Sequence, residues 1–176
     1  IDVIFAQSPR VKAVAAVTEP GQAPDDDAVA HARALLDAAA HPVLILGGGV
    51  WMGDAVEAAQ VLVATRNLPV IANGMGRGIV PPSDPHLVTR ARSAAFSQAD
   101  LVIVVGAPLD FRLGYGVFGD PPAKVIHVVD AESQRSSAET ATCTIVGDLR
   151  LSIAALVDGA AADPSSLPGP RERALA

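Results

Sequence analysis

Short apolar runs alternate with amphipathic stretches along this chain of 176 residues, and the alternation predicts strands separated by helices. Val43-Leu44-Ile45-Leu46, bounded by Pro42 and Gly47, is apolar at four consecutive positions and reads as a strand buried on both faces. Leu101-Val102-Ile103-Val104-Val105, ending at Gly106, is the clearest strand of all. Leu68-Pro69-Val70-Ile71-Ala72 is another, with Pro69 near its start, where a missing N–H disturbs the ladder least. Residues 125–129 form a fourth strand and residues 144–146 a weaker fifth. Residues 28–40, 54–65, 91–99 and a last segment ending near Asp158 predict helices. Asp25 to Asp27 face the positive end of the first, and Pro42 stops it. Strands joined through helices need crossover connections, so the expected fold is α/β: a Rossmann-like open, mostly parallel sheet of five to six strands with helices on both faces.

Proline, glycine and acidic residues mark the ends of this unit. Residues 1–26 carry Pro9, Pro20, Gly21 and Pro24 and read as a linker from a preceding domain. Residues 27–159 form the domain, and residues 160–176, with Pro164, Pro168, Gly169 and Pro170, read as an exit linker. The chain starts without Met or a signal peptide and reads as a piece of a longer protein.

Composition narrows the function classes. Half the residues are hydrophobic but only 3% are aromatic, a mix of small and branched side chains suited to helices packed closely on a sheet. The formal charge of −6 comes with scattered arginines and no basic run, which argues against a nucleic-acid partner. Cys143 is the only cysteine, so no intrachain disulfide forms, and a reducing, cytoplasmic setting is expected. No apolar stretch reaches bilayer-spanning length, so no membrane partner is expected.

Ligands of open parallel sheets bind outside the carboxyl ends of the strands, and the glycine clusters fall there. Gly47, Gly48 and Gly49 follow the first strand, Gly74, Met75, Gly76 and Gly78 the second, and Gly106 the third. Such glycines either make tight turns or let backbone amides approach a phosphate, with the helix from Asp54 adding its dipole. Three clusters on one edge favour a nucleotide site. Arg92 and Arg112 are candidates to pair with a diphosphate, or else surface arginines in structural ion pairs. Asp130 is a candidate for a ribose or adenine contact or a turn cap, and Asp148 for a ligand contact or the cap of the last helix.

The dinucleotide fingerprint itself fails. Met52 stands where the third glycine is required, and Asn73 replaces the acid that ends the second strand. No Gly-Lys-Ser/Thr phosphate loop and no Gly-x-Ser-x-Gly elbow occurs. His31, His41, His86 and His127 lack metal-ligand spacing, and Cys143 and His127 read as packed core residues. No catalytic residue and no metal ligand is predicted.

Taken together, His41-Pro42-Val43-Leu44-Ile45-Leu46-Gly47-Gly48-Gly49, Leu68-Pro69-Val70-Ile71, Gly74-Met75-Gly76-Arg77-Gly78 and residues 99–106 resemble the central domain of thiamine-diphosphate enzymes. Leu109-Asp110-Phe111-Arg112-Leu113-Gly114-Tyr115-Gly116 points the resemblance toward acetolactate synthase-like large subunits and their 2-hydroxyacyl-CoA lyase relatives. It covers about residues 30–158, and residues 1–7 look like the end of the preceding domain. The resemblance implies a full-length, homo-oligomeric transferase of branched-chain amino acid biosynthesis, performing 2-oxo acid decarboxylation and carboligation. Its thiamine diphosphate and Mg²⁺ lie between N- and C-terminal domains that this chain lacks. Gly147-Asp148-Leu149 also lacks the second glycine of the family's metal-diphosphate motif. For this domain the resemblance implies FAD or ADP at Gly47 to Gly49, Gly74 to Gly76, Gly106, Arg112 and Asp148. Two departures matter: Ala91-Arg92-Ser93-Ala94 replaces a longer segment of the synthases, as in the lyase and decarboxylase branch, and Val129 replaces an acid of the fourth strand. The alternative is a structural spacer with a vestigial nucleotide site.

Overall fold

The computed structural model describes residues 21–136 and 140–158. Residues 1–7, expected to be the end of a preceding domain, most of the first linker and the whole exit linker lie outside the described residues. The elements run α1 (Asp26–Ala38), β1 (Pro42–Leu46), α2 (Gly49–Met52), α3 (Val56–Arg66), β2 (Val70–Ala72), α4 (Arg92–Gln98), β3 (Leu101–Val105), β4 (Lys124–Val129), β5 (Cys143–Val146) and α5 (Leu149–Asp158). The five strands form one parallel sheet in the order β2-β1-β3-β4-β5. The α/β fold is the one the hydrophobic pattern predicts, at the lower end of its strand count.

The sheet is buried on both faces, which is why its strands read as continuous apolar runs. On one face α1, α3 and α5 cover Leu44, Leu46, Ile103, Val105, Ile126 and Val128. On the other, α4 and the long loop after β3 cover Val43, Ile45, Val102, Val104 and Val125, where Phe96 and Phe118 stack with centroids 4.9 Å apart. Asp25 caps α1, its carboxylate accepting the Ala28 N–H at 2.9 Å.

Two boundaries differ from the sequence expectation, and both differences are local backbone chemistry. The helix expected over residues 54–65 starts only at Val56, as α3, because Asp54 adopts a left-handed conformation at φ 51°, and the short α2 before it was not expected. Ala55 then tucks inside, donating its N–H to the Val50 carbonyl at 2.9 Å. An Asp tolerates that conformation better than most residues. The second strand begins at Val70 and not at residue 68, because the left-handed cap Asn67 (φ 50°) lets the Leu68 N–H return to Val63 at 3.1 Å. Leu68 is therefore the buried end of a helix rather than the start of a strand.

Asp100 ties the amino ends of β1 and β3 together. Its carboxylate accepts the amides of Ala40 at 2.7 Å and His41 at 2.9 Å. Desolvation against the turn raises its pKa, but these donors together outweigh that and hold the carboxyl below its ordinary value of 3.8. The contribution of Asp100 is thus present above pH 3.8 and is lost as pH falls through the lowered value. Asp100→Ala is expected to destabilise the domain by about 1 kcal/mol at pH 7 in urea unfolding. The difference from wild type should shrink toward zero on acidification, and a difference independent of pH would refute the assignment.

Candidate functional site

β1 has β2 on one side and β3 on the other, so the chain's winding direction reverses between the carboxyl ends of β1 and β3. Such a reversal opens a crevice where the two following loops part. Here the crevice floor is made of glycine backbone. Gly47 donates its N–H to Val105 at 2.9 Å, Gly49 to Gly106 at 2.9 Å, and Gly106 to Val128 at 3.0 Å. A Cβ on Gly47 would collide with the Gly106 carbonyl and lie 2.5 Å from the Ala107 methyl. On Gly49 it would lie 2.8 Å from the Gly106 Cα, and on Gly76 it would strike the Leu46 carbonyl. These four glycines bring turns into backbone contact, and their amides are already bonded inside the fold, that of Gly76 to Asn73 at 2.9 Å. Gly48 and Gly74 differ: beside Gly48 a Cβ would meet only Met75, at 3.2 Å, and beside Gly74 it would meet nothing within 4 Å. Gly74 is exposed, at φ 54°.

Above this floor lies a cleft of about 600 Å³ between the loops after β1, β3 and β4. Its lining combines the glycine backbone of Gly49 and Gly106, the apolar Met52, Leu109 and Tyr115, and the polar Asp110, Ser133, Gln134 and Arg135. The size falls within the range of about 300–1,000 Å³ usual for small-molecule sites. Arg135 is half exposed and ion-paired with Glu132 at 3.0 Å. Trp51, Met52, Met75, Phe111, Tyr115 and Val117, all in the segments that follow β1, β2 and β3, are exposed around the same edge of the sheet.

Of the residues named from sequence, Gly49 and Gly106 line the cleft, Gly47 lies beneath it, and Gly48, Gly74, Met75 and Gly76 belong to the neighbouring turns. Arg92 and Arg112 do come together, but as structure. Arg92 donates to the Arg112 carbonyl at 2.8 Å and stacks 5.1 Å over Phe96. Arg112 pairs with Asp110 at 3.1 Å and lies 5.4 Å over Phe111. Asp148 caps α5, accepting the Leu151 N–H at 3.1 Å, and its own amide holds the incoming chain at Gln22 at 2.8 Å. Asp130 is exposed just after β4 and is not on the cleft wall.

Arg135, Ser133, Tyr115 and Met52 were missed. Each follows a strand at its carboxyl end; Tyr115 lies in the segment 109–116 that carried the resemblance, and Ser133 and Arg135 lie in a polar run that carries no motif.

The helix expected behind the first glycine cluster is also displaced. α3 begins at Val56 with no side-chain cap, and the four-residue α2 intervenes. Buried Cys143 donates its thiol to the Ala28 carbonyl at 3.4 Å, and burial raises its pKa, so it is an inert core thiol. Among the described residues no group of three or more His, Cys, Asp or Glu is placed to hold a metal, and no helix is long and apolar enough to cross a membrane.

A five-stranded parallel sheet with a cleft at its reversal point defines a doubly wound α/β domain. Residues 29–156 match the family model of the thiamine pyrophosphate enzyme central domain, and the chain belongs to that family. It is 39% identical over 144 residues to an acetolactate synthase large subunit of Mycobacterium tuberculosis, covering 81% of this chain and 26% of that protein. Over 128 residues it is 33% identical to the human 2-hydroxyacyl-CoA lyase 1, covering 71% of this chain and 22% of the relative. The benzoylformate decarboxylase of Polynucleobacter necessarius shares the fold, with a TM-score of 0.64 at 23% identity over 86% of this chain and 30% of its own. The chain thus spans about a quarter of the relatives it matches.

The two kinds of glycine respond differently to a methyl group. Gly106→Ala combines φ 61° with a Cβ 2.8 Å from the Val50 nitrogen, and is expected to cost about 2–4 kcal/mol. Gly74→Ala meets only the left-handed penalty of about 1 kcal/mol. Denaturant unfolding of both variants measures the gap, and equal costs would disprove the close-packed floor.

Proposed function

We propose that the cleft holds the adenosine diphosphate portion common to ADP and FAD. The observation that carries this reading is that the Arg135 guanidinium lines the same cleft as the apolar Met52, Leu109 and Tyr115, beside the Asp110 carboxylate, at the reversal point of a parallel sheet. Arg135 offers a guanidinium to a diphosphate, in exchange for Glu132. Ser133 supplies a hydroxyl for ribose, and Leu109 and Tyr115 a surface for a flat base. The bonded amides of Gly47, Gly49 and Gly106 leave the phosphate to side chains, unlike a dinucleotide fingerprint, where the backbone does this work. The donor set fits a diphosphate with a ribose and a flat base. No group of three or more metal-ligating side chains stands among the described residues to hold the Mg²⁺ that would accompany thiamine diphosphate. In this reading that pair belongs to the N- and C-terminal domains of the full-length protein.

That full-length protein is read as an acetolactate synthase-like thiamine-diphosphate enzyme, joining 2-oxo acid units after decarboxylation and assembling as a homo-oligomer in the cytoplasm. The support is the similarity to a synthase subunit over most of this chain. The bonded glycine amides favour a second reading, a spacer domain whose nucleotide site is vestigial, as part of a lyase or decarboxylase.

Thermal unfolding separates the two. ADP or FAD at a hundred times its dissociation constant stabilises the folded chain by about 2.7 kcal/mol. Arg135→Ala is expected to weaken binding at least about tenfold without lowering the midpoint of the free protein. No shift with ADP, FAD or CoA would leave the spacer reading.

A further inference from the structure

His127 is the one inward-facing position of β4 that is not apolar. It stands in register with Val104 of β3 and Thr144 of β5, is wholly buried, and shares its face of the sheet with Val102, Val104 and Val125. The imidazole brings a liability there, because among the described residues its Nδ1 has no hydrogen-bond partner. An unpaired buried acceptor is unfavourable, and burial holds the ring neutral by lowering its pKa. What the side chain gains is a single bond: Nε2–H donates to the carbonyl of Ala107 at 2.9 Å.

That carbonyl is a pivotal one. Ala107 is buried and follows the left-handed Gly106, whose own N–H is held by Val128. The next residue, Pro108, has no N–H, so the backbone cannot anchor the loop there through an amide. Pro108, Leu109 and Asp110 then form one side of the cleft, and Asp110 also ties the loop onward through the amides of Arg112, Leu113 and Tyr115. We propose that His127 is a positioning residue for the cleft, holding the Ala107 carbonyl and with it the wall made by Pro108, Leu109 and Asp110. Its effect on ligand affinity rests on the nucleotide reading above; its effect on the loop does not.

The test uses the 176-residue chain and three variants. His127→Leu removes the donor and keeps the volume apolar. His127→Asn places its amide near the position of Nδ1, too short to reach Ala107, and His127→Gln places an amide N–H near the position of Nε2. Hydrogen exchange in residues 107–117 is read without ligand, and the dissociation constant for ADP by calorimetry. Loss of the bond should speed exchange in this loop about tenfold in the Leu variant, leaving β1 and α3 unchanged, and weaken ADP about tenfold. The Gln variant should recover both. Should His127→Leu fail to fold, His127→Asn against His127→Gln supplies the same contrast. Wild-type exchange in the Leu or Asn variant overturns the proposal, and faster exchange with unchanged ADP affinity overturns its reach to the cleft. If the wild-type chain does not bind ADP, the nucleotide reading fails, and loop exchange alone decides the role of His127.

Discussion

The contact on which this domain depends is the approach of two turns, backbone against backbone, where the winding of the sheet reverses. Gly47 and Gly49 after β1 lie against Gly106 after β3 with no room for a side chain between them. The amides of Gly47 and Gly106 continue the parallel ladder one residue beyond their strands, and that of Gly49 adds a bond three residues beyond β1. Hydrogen bonding and close packing therefore reinforce each other at this point. It lets β1 and β3 remain neighbours to their last residues while their loops diverge to opposite faces. The cleft is a consequence of that divergence.

The same contact sets the chemistry available above it. A glycine turn whose amides were free would cradle a phosphate through its backbone. Here the amides of the floor are engaged, so in the nucleotide reading polar recognition falls to side chains carried by the segment after β4, with Arg135 as the cation. That proposed recognition would depend on a side chain ion-paired with Glu132, so affinity would vary with the local pairing while the fold stays as it is. The exposed apolar residues ringing the cleft lie on the edge of the sheet that other parts of a longer protein can cover.

Much of the fold was legible in the sequence because a doubly buried strand leaves a mark that little else makes. Residues 101–105 and 43–46 are apolar at every position, and both emerge as central strands. Leu68 and Asp54 were misread because one left-handed residue decides each boundary, and neither Asn67 nor Asp54 announces its conformation in a hydrophobic pattern. The site was legible only as an edge. Glycines at the carboxyl ends of strands located it, but whether an amide faces a ligand or a neighbouring carbonyl depends on how two distant turns meet. Arg92 and Arg112 have the right charge for a diphosphate and Asp148 the acceptor for a ligand contact or a helix cap, and all three make bonds within the protein, whereas Arg135 lay in a run with no motif to mark it.

The central claim is that a nucleotide occupies the cleft between the loops after β1, β3 and β4. Amide chemical shifts of the labelled chain, followed as ADP is added, test it most directly. The account predicts saturable changes concentrated in residues 106–115 and 133–136, with β5 and the body of α5 unmoved. Changes confined to another face of the sheet, or none at millimolar ADP, would contradict it.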